Sequence, residues 1–261
     1  MSVPIRIAYG NDASQFGDLR LPSGPGPHPV LVVIHGGFWR ARYSLEETAK
    51  ISSDLTRSGF ATWNIEYRRV GQAGGGWPGT LQDVAQAADH LLSLGETYPL
   101  DLKRVVSLGH SAGGHLALWL AARRRLAQPS MFVHSKSIMV CGVISLAGVC
   151  DLVQMAQVER EENPVLAFLG GTPSDFPERY AVASPAALLP LSVPQVLLHG
   201  DADDRVPVSI SRDYARSARA AGDRVSYIEL PGVGHFELMN SDSVPWARTM
   251  DALKTLIQPH S

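Results

Sequence analysis

Serine, histidine and aspartate are the residues from which a protein builds a nucleophile, its base and an orienting acid, and this chain offers all three in distinctive settings. Ser111 sits in Gly109-His110-Ser111-Ala112-Gly113-Gly114, a Gly-x-Ser-x-Gly pattern. The apolar run Val105-Val106-Ser107-Leu108 precedes it, and Leu116 and Leu120 follow at helical spacing. Strand, sharp turn and helix are the context this pattern requires to be more than chance. Small residues flank the serine because a side chain at so tight a turn would strike neighbouring backbone. The first N–H groups of the new helix lack intrahelical partners, so that of Ala112 is a candidate donor to an oxyanion. The chemistry implied is attack by a serine hydroxyl on a carbonyl carbon.

A serine hydroxyl is a poor nucleophile at neutral pH and needs an oriented base. Of the nine histidines, His28 and His260 fall in a Pro-rich loop and a tail, His90 in an expected helix, and His134 in a loop without further motif. His110 and His115 are tied to the turn's own backbone. His35 and His199 each end a buried strand, where bracing a loop is the expected task. His235, in Pro231-Gly232-Val233-Gly234-His235-Phe236, lies just past the last expected strand. In parallel sheets the site lies outside the carboxyl ends of the strands, which makes His235 the candidate base. The acid has several candidates: Asp201, Asp203 and Asp204 in the turn 199–207, and Asp151 after an earlier strand.

A second oxyanion donor is expected from His35-Gly36-Gly37-Phe38-Trp39, which follows the strand 30–34. The glycines let the backbone approach a substrate, so the N–H of Gly37 or of Phe38 can face the developing charge. Trp39 and Trp77 either wall the substrate pocket or pack beneath the loops. Arg40, Arg42, Arg68 and Arg69 are read as solvated surface.

The elements that must position these residues follow from periodicity. Residues 2–8 and 17–21 read as strands and 22–27 as a Pro/Gly loop. Residues 30–34 are a continuous apolar run, as in a parallel strand buried on both faces. Ser44 to Glu47 reads as a capping box opening a helix that Gly59 closes. A strand over 60–67, a Gly-rich loop over 71–79, a helix over 80–94 and a strand over 141–146 come next. Residues 151–192 read as a small cap or a crossover. A strand over 194–199, a helix over 208–221, a half-exposed edge strand over 224–230 and a helix from about Pro245 complete the chain. Alternation of this kind predicts one α/β domain over 1–261, a mostly parallel central sheet with helices on both faces.

Composition narrows the function. At 261 residues and 45% apolar content the chain can bury a large core, and a net charge of −2 gives no reason to expect nucleic acid or an acidic membrane as partner. There is no run of 18 apolar residues that would predict a membrane span. The start Met1-Ser2-Val3-Pro4-Ile5-Arg6 lacks the pattern of a signal peptide. Cys141 and Cys150 suit a reducing compartment and read as small apolar fillers, so a cytoplasmic protein is expected. No P-loop, His-Glu-x-x-His or paired-cysteine pattern is present, so neither a cofactor nor a metal is expected.

Taken in order, Gly36-Gly37 after a strand, Gly-His-Ser-Ala-Gly-Gly, His199-Gly200-x-x-Asp203-x-x-Val206-Pro207 and Gly234-His235-Phe236 resemble the α/β-hydrolase superfamily. The likeness runs over residues 30 to 240 and points to its small esterase/lipase-type and prolyl-oligopeptidase-like branch. It implies the α/β-hydrolase fold, with Ser111 as nucleophile, Asp203 as acid and His235 as base. His35-Gly36-Gly37-Phe38-Trp39 also resembles the His-Gly-Gly-x-Trp signature of kynurenine formamidases, with Tyr9-Gly10 as minor further support. The expected activity is hydrolysis of a small-molecule carboxylic ester through an acyl-enzyme. Cleavage of an aryl formamide, acyl transfer to an alcohol or amine, and a non-catalytic ligand receptor on the same fold are the alternatives, and a turnover assay separates the last from the rest.

Overall fold

The computed structural model describes residues 3–126, 130–133 and 136–257. His134, His260 and Ser2 of the expected first strand lie outside them. In chain order come β1 (Ile5–Ala8), β2 (Phe16–Arg20), β3 (His28–Ile34), α1 (Ala49–Arg57) and β4 (Ala61–Ile65). Next are α2 (Gly79–Asp89), α3 (Leu91–Thr97), β5 (Leu100–His110), α4 (Ala112–Ala122) and β6 (Gly142–Leu146). The last third holds α5 (Leu152–Ala156), α6 (Pro164–Leu169), α7 (Pro177–Ala183), β7 (Gln195–Gly200), α8 (Val208–Ala220), β8 (Val225–Leu230) and α9 (Val244–Ile257).

The strands form one eight-stranded sheet in the order β1-β2-β4-β3-β5-β6-β7-β8. Only β1–β2 and β2–β4 pair antiparallel; the others are parallel. This is the α/β-hydrolase fold, with helices on both faces of the sheet. Alternate strand residues feed two cores. Val30, Val32 and Ile34 face a core shared with α2, α4 and α8. Leu31 and Val33 face one shared with α1 and α9. Strands that bury both faces read as unbroken apolar runs, which is why β3, β5, β6 and β7 are visible in the sequence. Every residue of α4 is buried, as an apolar helix at the centre of a sheet requires.

Register aligns the site. Ile34 pairs with Gly109, so the residues that follow, His35-Gly36 and His110-Ser111, emerge side by side. Gly200 pairs with Leu230, which brings the turn after β7 beside the loop after β8.

Two local departures from the sequence expectations fall at Ser44 and at His90. Ser44 opens a 3-10 turn over Leu45–Thr48, accepting from the N–H of Glu46 at 3.4 Å, because the Glu47 side chain that would complete a capping box turns into a cavity instead. Gly59, at φ +97°, does close α1. The helix expected over 80–94 divides at His90, where φ −61° and ψ −21° keep the chain right-handed. Residues 151–192 carry three short helices whose Met155, Phe168, Leu169 and Tyr180 join the core around α4. Among the described residues no helix is long and apolar enough to cross a membrane.

Candidate active site

Ser111 occupies the turn between β5 and α4 at φ 56° and ψ −119°, a strained conformation for a residue with a Cβ. The surrounding structure enforces it. The Ser111 N–H donates to the carbonyl of Leu146 at 2.8 Å, and its own carbonyl accepts from the N–H of His115 at 3.1 Å. A Cβ at Gly113 would fall 2.1 Å from the Ile34 carbonyl oxygen, so β3 and the first turn of α4 can approach only if that position is glycine. Ser111 is 3% exposed and lines a cavity of about 130 Å³ together with Gly37, Phe38, His110 and His235.

His235 reaches this cavity from the loop after β8. Its Nδ1 donates to Asp203 Oδ2 at 2.7 Å. Asp203 lies in the turn after β7 with its side chain fully buried. Its four acceptor positions are filled. Oδ2 also accepts from His199 Nε2 at 3.0 Å, and Oδ1 accepts from the N–H groups of Arg205 and Val206, each at 2.8 Å. Burial opposes ionisation of this carboxyl, but the hydrogen bonds from His199, His235 and Val206 overcome it and hold its pKa far below the usual carboxylate range. His199 Nδ1 accepts from Ser211 Oγ at 2.7 Å, leaving Nε2 as the donor to Asp203 and to the Val206 carbonyl. A second histidine therefore braces Asp203, as its place at a strand end suggests.

Asp151, the other candidate acid, is occupied elsewhere: its Oδ1 caps α5, accepting from the N–H groups of Val153 and Gln154. Asp201 shapes its turn by accepting from the Gly232 N–H at 2.7 Å. Asp204 is exposed and pairs with Arg205.

His110 holds the histidine loop in place. Its Nε2 donates to the His235 carbonyl at 2.9 Å, and the two rings lie 4.5 Å apart. Burial, with the nearby charge of His235, pushes the His110 imidazole down to about 3, so it stays neutral beside His235. His115 is likewise pushed down to about 4 by burial. It accepts from Trp39 Nε1 at 3.3 Å and donates to the Ala183 carbonyl at 2.9 Å, and it takes no part in the cavity wall.

The loop 35–39 closes the other side. Both ring nitrogens of His35 meet acceptors, the Gly36 carbonyl at 2.9 Å and Glu66 Oε1 at 2.8 Å. Burial disfavours the Glu66 carboxylate, and the hydrogen bond and charge of His35, with Arg69 and the Tyr67 N–H, bring its pKa below the ordinary value. Glu66 also accepts from the Leu45 N–H at 3.1 Å, so one buried carboxylate ties the turn at Leu45 and the segment after β4 to the loop. Gly37 has φ +94°, and a Cβ there would lie 2.3 Å from Tyr43. Gly37 and Phe38 both line the cavity, and Ala112 begins α4 beside Ser111.

For Trp39 and Trp77 the pocket-wall reading is corrected: neither lines the cavity, and both pack beneath the loops. Trp39 is fully buried, stacked on Phe168 with ring centroids 4.6 Å apart, and does not wall the cavity. Phe38 and Trp39 both adopt positive φ, 53° and 56°, and this double left-handed step turns Phe38 to the cavity and Trp39 into the core. Trp77 borders a different depression, beside Gly76 and Phe168, and packs against Phe132. Of the four arginines read as surface, Arg68 pairs with buried Asp83 and Arg69 with Glu66, so these two are structural. Cys150 is buried, its thiol pushed up to about 12 by burial. Four further residues line the cavity: Tyr43, Glu47, Arg205 and Phe236. The sequence carried a signal only for Phe236 and Arg205, each adjacent to a motif already singled out.

An eight-stranded, mostly parallel sheet with a serine on the strained turn after β5 is an α/β-hydrolase. Within that superfamily the chain belongs to the BD-FAE family, whose model matches residues 18–217. It is 28% identical over 246 residues to Esterase LipC of Mycobacterium tuberculosis, covering 90% of this chain and 60% of that protein. It is 24% identical over 219 residues to the kynurenine formamidase of Drosophila melanogaster, covering 83% of this chain and 69% of the other. A truncated form of a carbohydrate esterase from gut microbiota shares the fold with TM-score 0.86 at 22% identity, over 98% of this chain and 96% of its own.

Proposed function

We propose that this protein is a serine hydrolase that cleaves a carboxylic ester through an acyl-enzyme. The observation that carries the reading is the chain of contact from Asp203 Oδ2 to His235 Nδ1, 2.7 Å, with His235 and Ser111 lining one cavity. With its Nδ1 proton committed to Asp203, His235 keeps Nε2 free to accept. As Ser111 Oγ bonds to the acyl carbon, Nε2 takes the hydroxyl proton, and the carbonyl oxygen becomes an oxyanion. N–H groups of Ala112 and of Gly37 or Phe38 stabilise that charge. Collapse breaks the bond to the leaving oxygen, which receives the proton from His235. Water then attacks the acyl carbon and gives a proton to Nε2, and Ser111 leaves with that proton restored. Similarity to Esterase LipC supports ester as the substrate class.

An aryl formamide passes through the same steps with nitrogen as the leaving atom. Similarity to a kynurenine formamidase, together with the His-Gly-Gly-Phe-Trp loop, favours this as the second reading. The test is kcat/KM for p-nitrophenyl acetate against an aryl formamide, compared after allowing for the ester's better leaving group. The ester is expected to be faster. A formamide rate exceeding the ester rate moves the assignment to formamidase, and turnover of neither rejects hydrolysis in favour of ligand binding.

A further inference from the structure

We propose that Arg205, backed by Arg160, recognises a negative charge on the leaving group, so that the site favours esters of alcohols or phenols that carry a carboxylate. The inference rests on the hydrolase reading, because that reading defines which end of the cavity is which. The leaving oxygen must take its proton from His235, so the leaving group lies on the His235 side. Arg205 belongs to that side. It follows Asp203 by two residues, its N–H donates to Asp203 Oδ1 at 2.8 Å, and it lines the cavity with His235 and Phe236.

The Arg205 guanidinium is available. Its side chain is 50% exposed, and its carboxylate partner Asp204 is 3.4 Å away and 73% exposed, a pair that contributes little and exchanges readily. A second guanidinium stands next to it. Arg160 Nη2 donates to the Arg205 carbonyl, and the Arg160 guanidinium lies over the Phe38 ring, 5.6 Å from its centroid. Arg160 Nε is buried without a hydrogen-bond partner. Burial and the neighbouring charge of Arg205 both lower the Arg160 pKa, the signature of positive charge in excess of its local compensation. Two other arginines near the site are matched, Arg40 with Glu162 at 2.9 Å and Arg68 with Asp83 at 2.7 Å, while Arg42 is exposed and lies over the Tyr43 ring. Glu159 and Glu161, flanking Arg160 in the chain, are exposed.

The cavity also contains one acidic residue, and its position matters. Glu47 stands on the wall of the oxyanion loop, beside Gly37 and Tyr43, and burial raises its pKa. A negative charge on the substrate is therefore accommodated at the Arg205 end and opposed at the Glu47 end. A planar guanidinium matches a carboxylate in two-point geometry, which an ammonium does not.

Three acetate esters of matched shape test this: 4-acetoxybenzoate, its uncharged methyl ester, and the analogue bearing an aminomethyl group. The readout is the ratio of kcat/KM for the anionic ester to that for the neutral one, taken in wild type and in Arg205→Gln. Intrinsic leaving-group reactivity cancels between the two proteins. The ratio is expected to fall about fivefold in the variant, as for a partly exposed ion pair, with Arg205→Lys intermediate. Raising the ionic strength from about 0.05 M to about 0.5 M should lower the wild-type ratio and leave that of Arg205→Gln nearly level. A fall of less than about twofold, or a wild-type preference for the ammonium ester over the neutral one, overturns the proposal. Turnover with an unmoved ratio removes only the role of Arg205. Absence of turnover of all three esters removes the hydrolase reading and this inference with it.

Discussion

Replacing Asp203 by Asn alters a single heavy atom and separates two consequences that the geometry ties together. If the Asn oxygen keeps the Arg205 and Val206 N–H groups, its NH₂ falls where Oδ2 accepts from His235 at 2.7 Å and from His199 at 3.0 Å. Donor then faces donor twice. His235 can relieve its clash by moving its proton to Nε2, which places a hydrogen toward Ser111 and removes the lone pair that should take the hydroxyl proton. A tautomer trapped in this way costs roughly 10⁴ in kcat. His199 must give up a bond to Ser211 or to Val206, and a charge-assisted bond is lost as well, about 1.5–3 kcal/mol of stability. In a chain of this size that lowers Tm by roughly 2–4 °C per kcal/mol. The pH dependence has a definite sign. The folded carboxyl titrates well below its unfolded value of about 3.9, so its contribution is complete above that value and is lost as pH falls toward the folded pKa. Wild type should therefore lose Tm progressively below about pH 5, and Asp203→Asn should show a shallower acid limb. Steady-state kinetics on p-nitrophenyl acetate and thermal melts from neutral to acid pH measure both. Asp151→Asn is the control: asparagine caps a helix as well as aspartate, so both kcat and Tm should hold. A kcat for Asp203→Asn within tenfold of wild type, or a larger loss in Asp151→Asn, refutes the assignment of the acid.

Gly37→Ala puts a Cβ 2.3 Å from Tyr43 at φ +94°, so the loop must shift. If an oxyanion donor moves with it, kcat should drop by about 10²–10³ for ester and formamide alike, read by parallel assays. Trp39→Ala should act on stability instead of specificity. Truncating a fully buried tryptophan stacked on Phe168 costs about 3–5 kcal/mol, seen in denaturant unfolding, while KM for aromatic and acetyl esters should change in parallel. His110→Phe removes the donor to the His235 carbonyl and should lower kcat about fivefold, the equivalent of one hydrogen bond, with little change in KM.

What the sequence could and could not disclose follows from the range of each interaction. The elbow at Ser111 is local: an apolar strand, a tight turn and a buried helix in consecutive residues, so pattern alone locates it. Asp203 and His235 are 32 residues apart, yet both lie just past strand ends of adjacent strands, which parallel-sheet topology brings together. Position after a strand does not by itself single out Asp203; the resemblance of His199-Gly200-x-x-Asp203-x-x-Val206-Pro207 does. Asp151 also follows a strand, and only side-chain contacts reveal that it caps α5. The placement of Trp39 and Glu47 is hidden from the sequence for one reason: the direction of a side chain leaving a turn depends on backbone dihedrals that composition does not encode. Consecutive positive φ values at Phe38 and Trp39 send neighbours to opposite sides. The 3-10 turn at Leu45–Thr48 likewise leaves Glu47 facing the cavity instead of capping. Arg160, far from any motif, was invisible because its importance comes from packing on Phe38 and contact with Arg205.

The role of Ser111 is tested most directly by covalent capture. A fluorophosphonate reacts with a serine whose hydroxyl is deprotonated on attack and whose adduct oxygen meets oxyanion donors. Mass mapping of the labelled protein should find one adduct, on the peptide that contains Ser111. Labelling should vanish in Ser111→Ala and slow sharply in Asp203→Asn. An adduct on another serine, or ester turnover by protein that takes no label, would contradict Ser111 as the nucleophile.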